Sequence, residues 1–202
     1  TPTAEALLFV VNCPVGDYFK GVVRPLTLLV EESIPRTTPQ FGMVKSGANY
    51  AMALAPTLDA MARNAAVDQI LFATAGDITE TGAANFFLAD DKTIVTRQLD
   101  SSFLHGVTLS SVISLAADLG YEVQERRIEL DELEDWASRG EAFLSGTAAV
   151  LSPVGTMLKG SSEIIFGDGQ PGANTLRLRE RLVAIQNGTE SDTYAWRTSV
   201  RS

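Results

Sequence analysis

The stretch VTLSSVISLAADLGYEVQERRI, residues 107–128, holds the change from one regular structure to another on which the fold reading turns. Leu109, Val112, Ile113, Ala116 and Leu119 fall at i, i+3, i+4, i+7 and i+10, which sets apolar side chains on one face of a helix. Gly120 supplies a C-terminal stop. Glu122 to Ile128 then reads as a strand. Working back, Asn85–Leu88 and Thr93–Arg97 predict a strand pair around Asp90-Asp91-Lys92, and Gln69–Thr74 another strand. Asn49 to Asn64 predicts a helix kinked at Pro56, Pro35–Gly42 a loop, and Leu26–Val30 a strand. Ala6 to Cys13 (ALLFVVNC) reads as a buried strand. Toward the C-terminus come a short helix at Leu130–Trp136 and short strands at Phe143-Leu144 and Val150-Leu151. A helix over Asn174–Gln186 follows, then a polar tail anchored by Trp196. Helices and strands are mixed rather than strictly alternating, so the expected class is α/β or α+β, not all-β or a helix bundle.

Composition narrows the function classes. The 202 residues carry 16 Lys+Arg against 25 Asp+Glu, a formal charge of −9. No basic cluster interrupts that balance, which argues against nucleic acid and anionic membrane as partners. One cysteine, Cys13, and one histidine cannot build an internal disulfide or a usual zinc site. No apolar run is long enough to span a bilayer and no basic segment precedes Ala6–Val11, so a cytoplasmic protein is expected.

Four stretches combine small residues with reactive ones. In Val44-Lys45-Ser46-Gly47-Ala48-Asn49-Tyr50 a lysine with small apolar neighbours can be desolvated into a nucleophilic amine; it can equally be a surface lysine before a helix. In Ile78-Thr79-Glu80-Thr81-Gly82-Ala83-Ala84-Asn85 tiny residues let a flat ligand approach the backbone, with Glu80 able to bond a heterocyclic nitrogen; a solvated turn glutamate is the alternative. Leu104-His105-Gly106-Val107-Thr108 opens a helix, a seat for a phosphate or simply an N-cap at Thr108. His105 itself reads as a local hydrogen-bonding residue. Ser145-Gly146-Thr147-Ala148-Ala149 is a small-residue turn whose amides can bind an anion.

Taken in order, ALLFVVNCPVGDYF, VKSGANY, ITETGAANFF, LDSSFLHGVT, EAFLSGTAAVLSPVG and FGDGQPGANTLRLRERLVAIQNG resemble the fold-type IV pyridoxal-phosphate enzymes. Among these the chain is most similar to the branched-chain amino acid aminotransferases. The resemblance implies the D-amino acid aminotransferase-like large domain, a pseudo-barrel of strands surrounded by helices. It implies pyridoxal 5'-phosphate held as a Schiff base on Lys45, whose amine later shuttles a proton. It places Tyr50 on the phenolic oxygen and Glu80 on the pyridine nitrogen, Val107, Thr108 and Thr147 on the phosphate, and Thr147–Ala148 on the substrate carboxylate. Leu109 stands where the helix-start motif usually continues with arginine, implying one charge fewer beside the phosphate. Ala149 and Ser152 stand where some animal members carry paired cysteines, so no thiol switch of that kind is expected.

The same likeness divides the chain. Residues 1–15 correspond to the last strand of a small domain otherwise missing from the sequence, 16–25 to an interdomain loop, and 26–202 to the large domain. The implied reaction moves the amino group of leucine, isoleucine or valine to 2-oxoglutarate in a homodimer or larger assembly. The alternatives are another fold-type IV enzyme, such as a D-amino acid aminotransferase or an aminodeoxychorismate lyase, and a non-catalytic truncated homologue.

Overall fold

The computed structural model describes residues 3–14 and 23–199. Its strands are β1 (Leu26–Glu31), β2 (Gln69–Phe72), β3 (Asp77–Ile78), β4 (Asn85–Ala89), β5 (Thr93–Thr96), β6 (Glu122–Glu125), β7 (Ile128–Glu129), β8 (Glu141–Gly146), β9 (Val150–Lys159) and β10 (Ser162–Ile165). The helices are α1 (Gly47–Arg63), α2 (Val107–Asp118), α3 (Leu133–Arg139) and α4 (Ala173–Asn187).

One large sheet runs β2-β1-β9-β8-β4-β5-β6, with β10 on β9. β1 lies parallel to both β2 and β9, whereas β9, β8, β4 and β5 follow one another antiparallel. The class is the mixed α/β one expected. The strand path ends at β2 and β6, so among the described residues hydrogen bonds do not close the pseudo-barrel.

β4 explains the layering. Its sequence NFFLA is buried at every position, as a central strand covered on both faces requires. Phe86 and Leu88 join a core with Leu28, Leu144, Met157 and Trp136 of α3. Phe87 points the other way, stacked on Phe143 at 4.8 Å between ring centroids, into a core shared with Val112 and Leu115 of α2 and Leu178 and Leu182 of α4. Ala53 and Ala60 of α1 pack on Ile70 and Phe72 in a third cluster.

Several expectations need correction. Ala6–Cys13 forms no strand; Leu7 to Val11 are 76–87% exposed and find no ladder partner among the described residues. A strand's backbone groups need such a partner, and apolar composition alone does not supply one. Most of the 16–25 connector lies outside the described residues. Glu122–Ile128 is two strands, because the backbone turns at Arg126-Arg127: β6 pairs with β5, and β7 with β3 in a separate two-stranded sheet. The Leu130–Trp136 helix begins as a 3-10 turn and becomes α3. The two short strands at 143–144 and 150–151 are parts of β8 and β9, the latter ten residues long despite Pro153 and Gly155. Pro153 sits just before the part of β9 that pairs with β1, where a missing N–H costs no bond on that side. α1 continues through Pro56 as one helix. α2 ends as expected, with Gly120 in the left-handed region at φ 87°.

Candidate active site

Lys45 stands one residue before the N-cap of α1. Ser46 provides that cap, its hydroxyl accepting from the Ala48 N–H at 3.3 Å. Tyr50 follows in the first turn, and the exposed Lys45 amine donates to the Tyr50 hydroxyl. Nζ also lies 4.7 Å from the Tyr50 ring centroid, a cation–π distance. Asn49 fixes the approach to this turn: its Nδ2 donates to the carbonyls of Phe41 (2.9 Å) and Val44 (2.8 Å), and its Oδ1 accepts from Thr37 Oγ1 (2.8 Å).

Glu80 is not a solvated turn residue; it is 1% exposed. Its Oε1 accepts from the Leu104 N–H at 3.0 Å and lies 2.9 Å from Arg36 Nη1, while Oε2 accepts from Asn85 Nδ2 at 3.2 Å. Burial pushes the carboxyl up to about 7, against the opposing pull of Arg36, the Leu104 N–H and Lys45. A carboxylate offers about four acceptor positions. The Leu104 N–H and Asn85 Nδ2 take two of these and Arg36 adds charge without a hydrogen bond, so acceptor positions are left for a further donor such as a protonated ring nitrogen.

The third stretch packs directly on this carboxylate. Asn85 donates to Glu80 and to the Leu104 carbonyl (2.8 Å), and its Oδ1 faces Gly106. Gly106, not Thr108, is the N-cap of α2, and no side chain caps that end. Val107 and Thr108 are therefore the first helical residues, whose N–H groups have no partner within the helix. They share a hollow of about 360 Å³ with Thr147 and with Trp196 and Arg197 of the tail. Gly146 lies against Ala83 and Ala84, which brings the Thr147–Ala148 turn beside the Glu80 loop. Thr147 and Ala148 are exposed, and that turn ends at Val150 with φ 57°, a strained conformation for a β-branched residue.

The remaining residues are placed as follows. Leu109 is buried in the core with α4, on the apolar face that its spacing predicts. His105 bonds the Asp100 carbonyl at 2.7 Å and packs edge-on to Phe103, the local role expected of it. Arg36 and Asn85 are the principal residues the sequence did not single out. Arg36 lies in what reads as a plain loop, 44 residues from Glu80, and a lone arginine there carries no local signal. Asn85 was legible only as the start of a strand. No group of three or more metal-ligating side chains and no helix long and apolar enough to cross a membrane occur among the described residues.

Comparison with known proteins gives the family. Residues 1–156 match the family described as amino-transferase class IV. The chain is 38% identical to the branched-chain-amino-acid aminotransferase of Mycobacterium tuberculosis over 206 aligned positions, covering 96% of this chain and 55% of that protein. It is 37% identical to a probable branched-chain-amino-acid aminotransferase of Streptomyces coelicolor, with the same shares. The solved T.th. branched-chain amino acid aminotransferase with pyridoxamine 5'-phosphate superposes with a TM-score of 0.73 at 30% identity, over 92% of this chain and 58% of that one. The chain thus spans about half the length of the curated relatives it matches. It belongs to the class IV aminotransferases.

Proposed function

From this membership of the class IV aminotransferases, we propose that the chain binds pyridoxal 5'-phosphate and transfers the amino group of leucine, isoleucine or valine to 2-oxoglutarate. When bound, the cofactor supplies a carbonyl carbon for the amines and a ring that takes up electrons from the substrate. Lys45 is the residue whose amine joins that carbon and, once displaced, carries the proton. Tyr50, beside it, donates to the ring oxygen. Glu80 holds a proton on the ring nitrogen by standing opposite it as an anion. The Val107 and Thr108 amides and the Thr147 hydroxyl take the phosphate, and the Thr147–Ala148 backbone takes the substrate carboxylate. Homo-oligomeric assembly and a cytoplasmic site of action belong to the same reading.

The observation that carries this proposal is one line of contacts. Lys45 Nζ reaches Tyr50, the Arg36 guanidinium lies 5.7 Å from the same ring, and Arg36 is in turn 2.9 Å from Glu80. The Lys45 amine and the Arg36 guanidinium thus flank one aromatic side chain, and the buried Glu80 carboxyl lies beyond the guanidinium.

The test is a substrate panel. The chain is loaded with cofactor, and transfer from L- and D-amino acids to 2-oxoglutarate is measured. Preference for branched L-amino acids supports the proposal. Preference for D-amino acids favours the other fold-type IV reading. Cofactor retention without transfer from any donor favours the non-catalytic one.

A further inference from the structure

A counterion for the ring nitrogen must be charged, and burial opposes charge. Glu80 is 1% exposed and Arg36 4%, so the pair sits where an unmatched carboxylate would take up a proton. We propose that Arg36 is the positioning residue that favours the ionised form of Glu80 against burial and orients the loop that carries it toward the ring nitrogen. This inference rests on the cofactor reading above.

The geometry gives Arg36 two tasks at once. Nη1 stands 2.9 Å from Glu80 Oε1. Nε donates to the Thr81 carbonyl at 3.1 Å and Nη2 to the Gly82 carbonyl at 3.2 Å. One planar group therefore sets a positive charge beside the carboxylate and, through Nε and Nη2, holds the main chain that follows it. A guanidinium can do this because its donors point in set directions; an ammonium supplies the charge without the fork.

The other groups facing Glu80 do not replace that charge. From β4 comes Asn85, which is neutral; from the loop before α2 comes only the Leu104 N–H. From the start of α1 comes Lys45, whose charge acts on Glu80 but whose amine the reaction engages. Among the cations that act on Glu80, Arg36 has the largest effect in holding the carboxyl down against burial. Arg36 touches no reacting atom, so its effect runs through Glu80.

The test uses the full chain without cofactor, carrying side-chain carboxyl 13C label on glutamate, with Glu80 assigned through Glu80→Gln. Arg36→Gln keeps hydrogen bonding to the loop carbonyls but removes the charge; Arg36→Lys keeps the charge. The Glu80 midpoint should rise by roughly one unit or more in Arg36→Gln and stay near the unaltered value in Arg36→Lys. In Arg36→Lys the Thr81 and Gly82 amide signals should still move, because the fork is lost. An unchanged midpoint in folded Arg36→Gln overturns the proposal.

Should Arg36→Gln fail to fold, the unaltered chain decides. The Arg36 Nε–H signal must then shift with the same midpoint as the Glu80 carboxyl, and independent midpoints overturn the inference. Neither readout involves cofactor, so failure here leaves the Lys45 assignment standing, and failure at Lys45 leaves the coupling of Arg36 to Glu80 intact.

Discussion

Gly106 lies flat against the Asn85 side chain: a Cβ added at Gly106 would fall 2.3 Å from Asn85 Oδ1. Asn85 is the residue that joins the start of α2 to Glu80, through its bonds to the Leu104 carbonyl and to Oε2. The glycine is thus required by close approach, since its φ of −71° suits any residue. Gly106→Ala should displace Asn85 and lower stability by about 1–3 kcal/mol, the usual range for overpacking. Urea unfolding of the two chains checks this. Cofactor retention should fall with it, because both halves of the site meet at Asn85.

Glu80 makes folding depend on pH in a stated direction. Its carboxyl titrates near 7 in the folded chain against an ordinary value of 4.5. Between those values the folded chain holds a proton that the unfolded chain has released, so this residue's contribution falls as pH rises from about 4.5 to about 7 and is level above. The change is on the order of 3 kcal/mol at most. Urea midpoints measured across that window should show the decline in the unaltered chain and a flatter curve in Glu80→Gln. The readout is the difference in pH dependence; the absolute level also reflects Arg36 left without its partner.

Cofactor retention should have the opposite dependence. A positively charged ring nitrogen favours the ionised carboxylate, so retention should weaken as pH falls through about 7 in the unaltered chain. In Glu80→Gln retention should be weaker throughout and should lack that step. Equilibrium dialysis at several pH values measures both.

Tyr50→Phe removes the hydroxyl to which the Lys45 amine donates and leaves the ring in place. A hydrogen bond involving a charged group is worth about 1.5–3 kcal/mol, so cofactor affinity should drop on the order of tenfold or more. Stability should change little, because Tyr50 is only partly buried. A titration of the visible absorbance with added cofactor separates the two effects.

Phe143→Ala tests the core that carries the site loops. The ring is fully buried and stacked on Phe87 with 4° between planes. Phe-to-Ala changes in such places cost about 3–5 kcal/mol. A lower urea midpoint of that size is the expected result.

What the sequence made legible was mostly local. Lys45, Ser46 and Tyr50 lie within one cap and one helical turn, so their meeting follows from adjacent residues. The apolar spacing from Leu109 to Leu119 and the stop at Gly120 likewise specify α2 without tertiary information. The pairing of β4 with β5 follows from a short turn between two apolar runs. The rest depends on partners distant in the chain. Ala6–Cys13 has strand-like composition but no ladder partner in the described residues. β9 is long because β1 and β8 flank it, which overrides the local effect of Pro153 and Gly155. The Arg36–Glu80 pair joins residues 44 positions apart, and no spacing rule connects them. Leu109 lies in the core, as its place on the apolar face of the helix predicts.

The account stands or falls at Lys45. The chain is incubated with pyridoxal 5'-phosphate, reduced with borohydride and digested, and the modified peptide is sequenced by mass spectrometry. The account predicts the phosphopyridoxyl group on Lys45 and its loss in Lys45→Ala. A group carried mainly on Lys20, Lys92 or Lys159, or retained at the same level in Lys45→Ala, would contradict it.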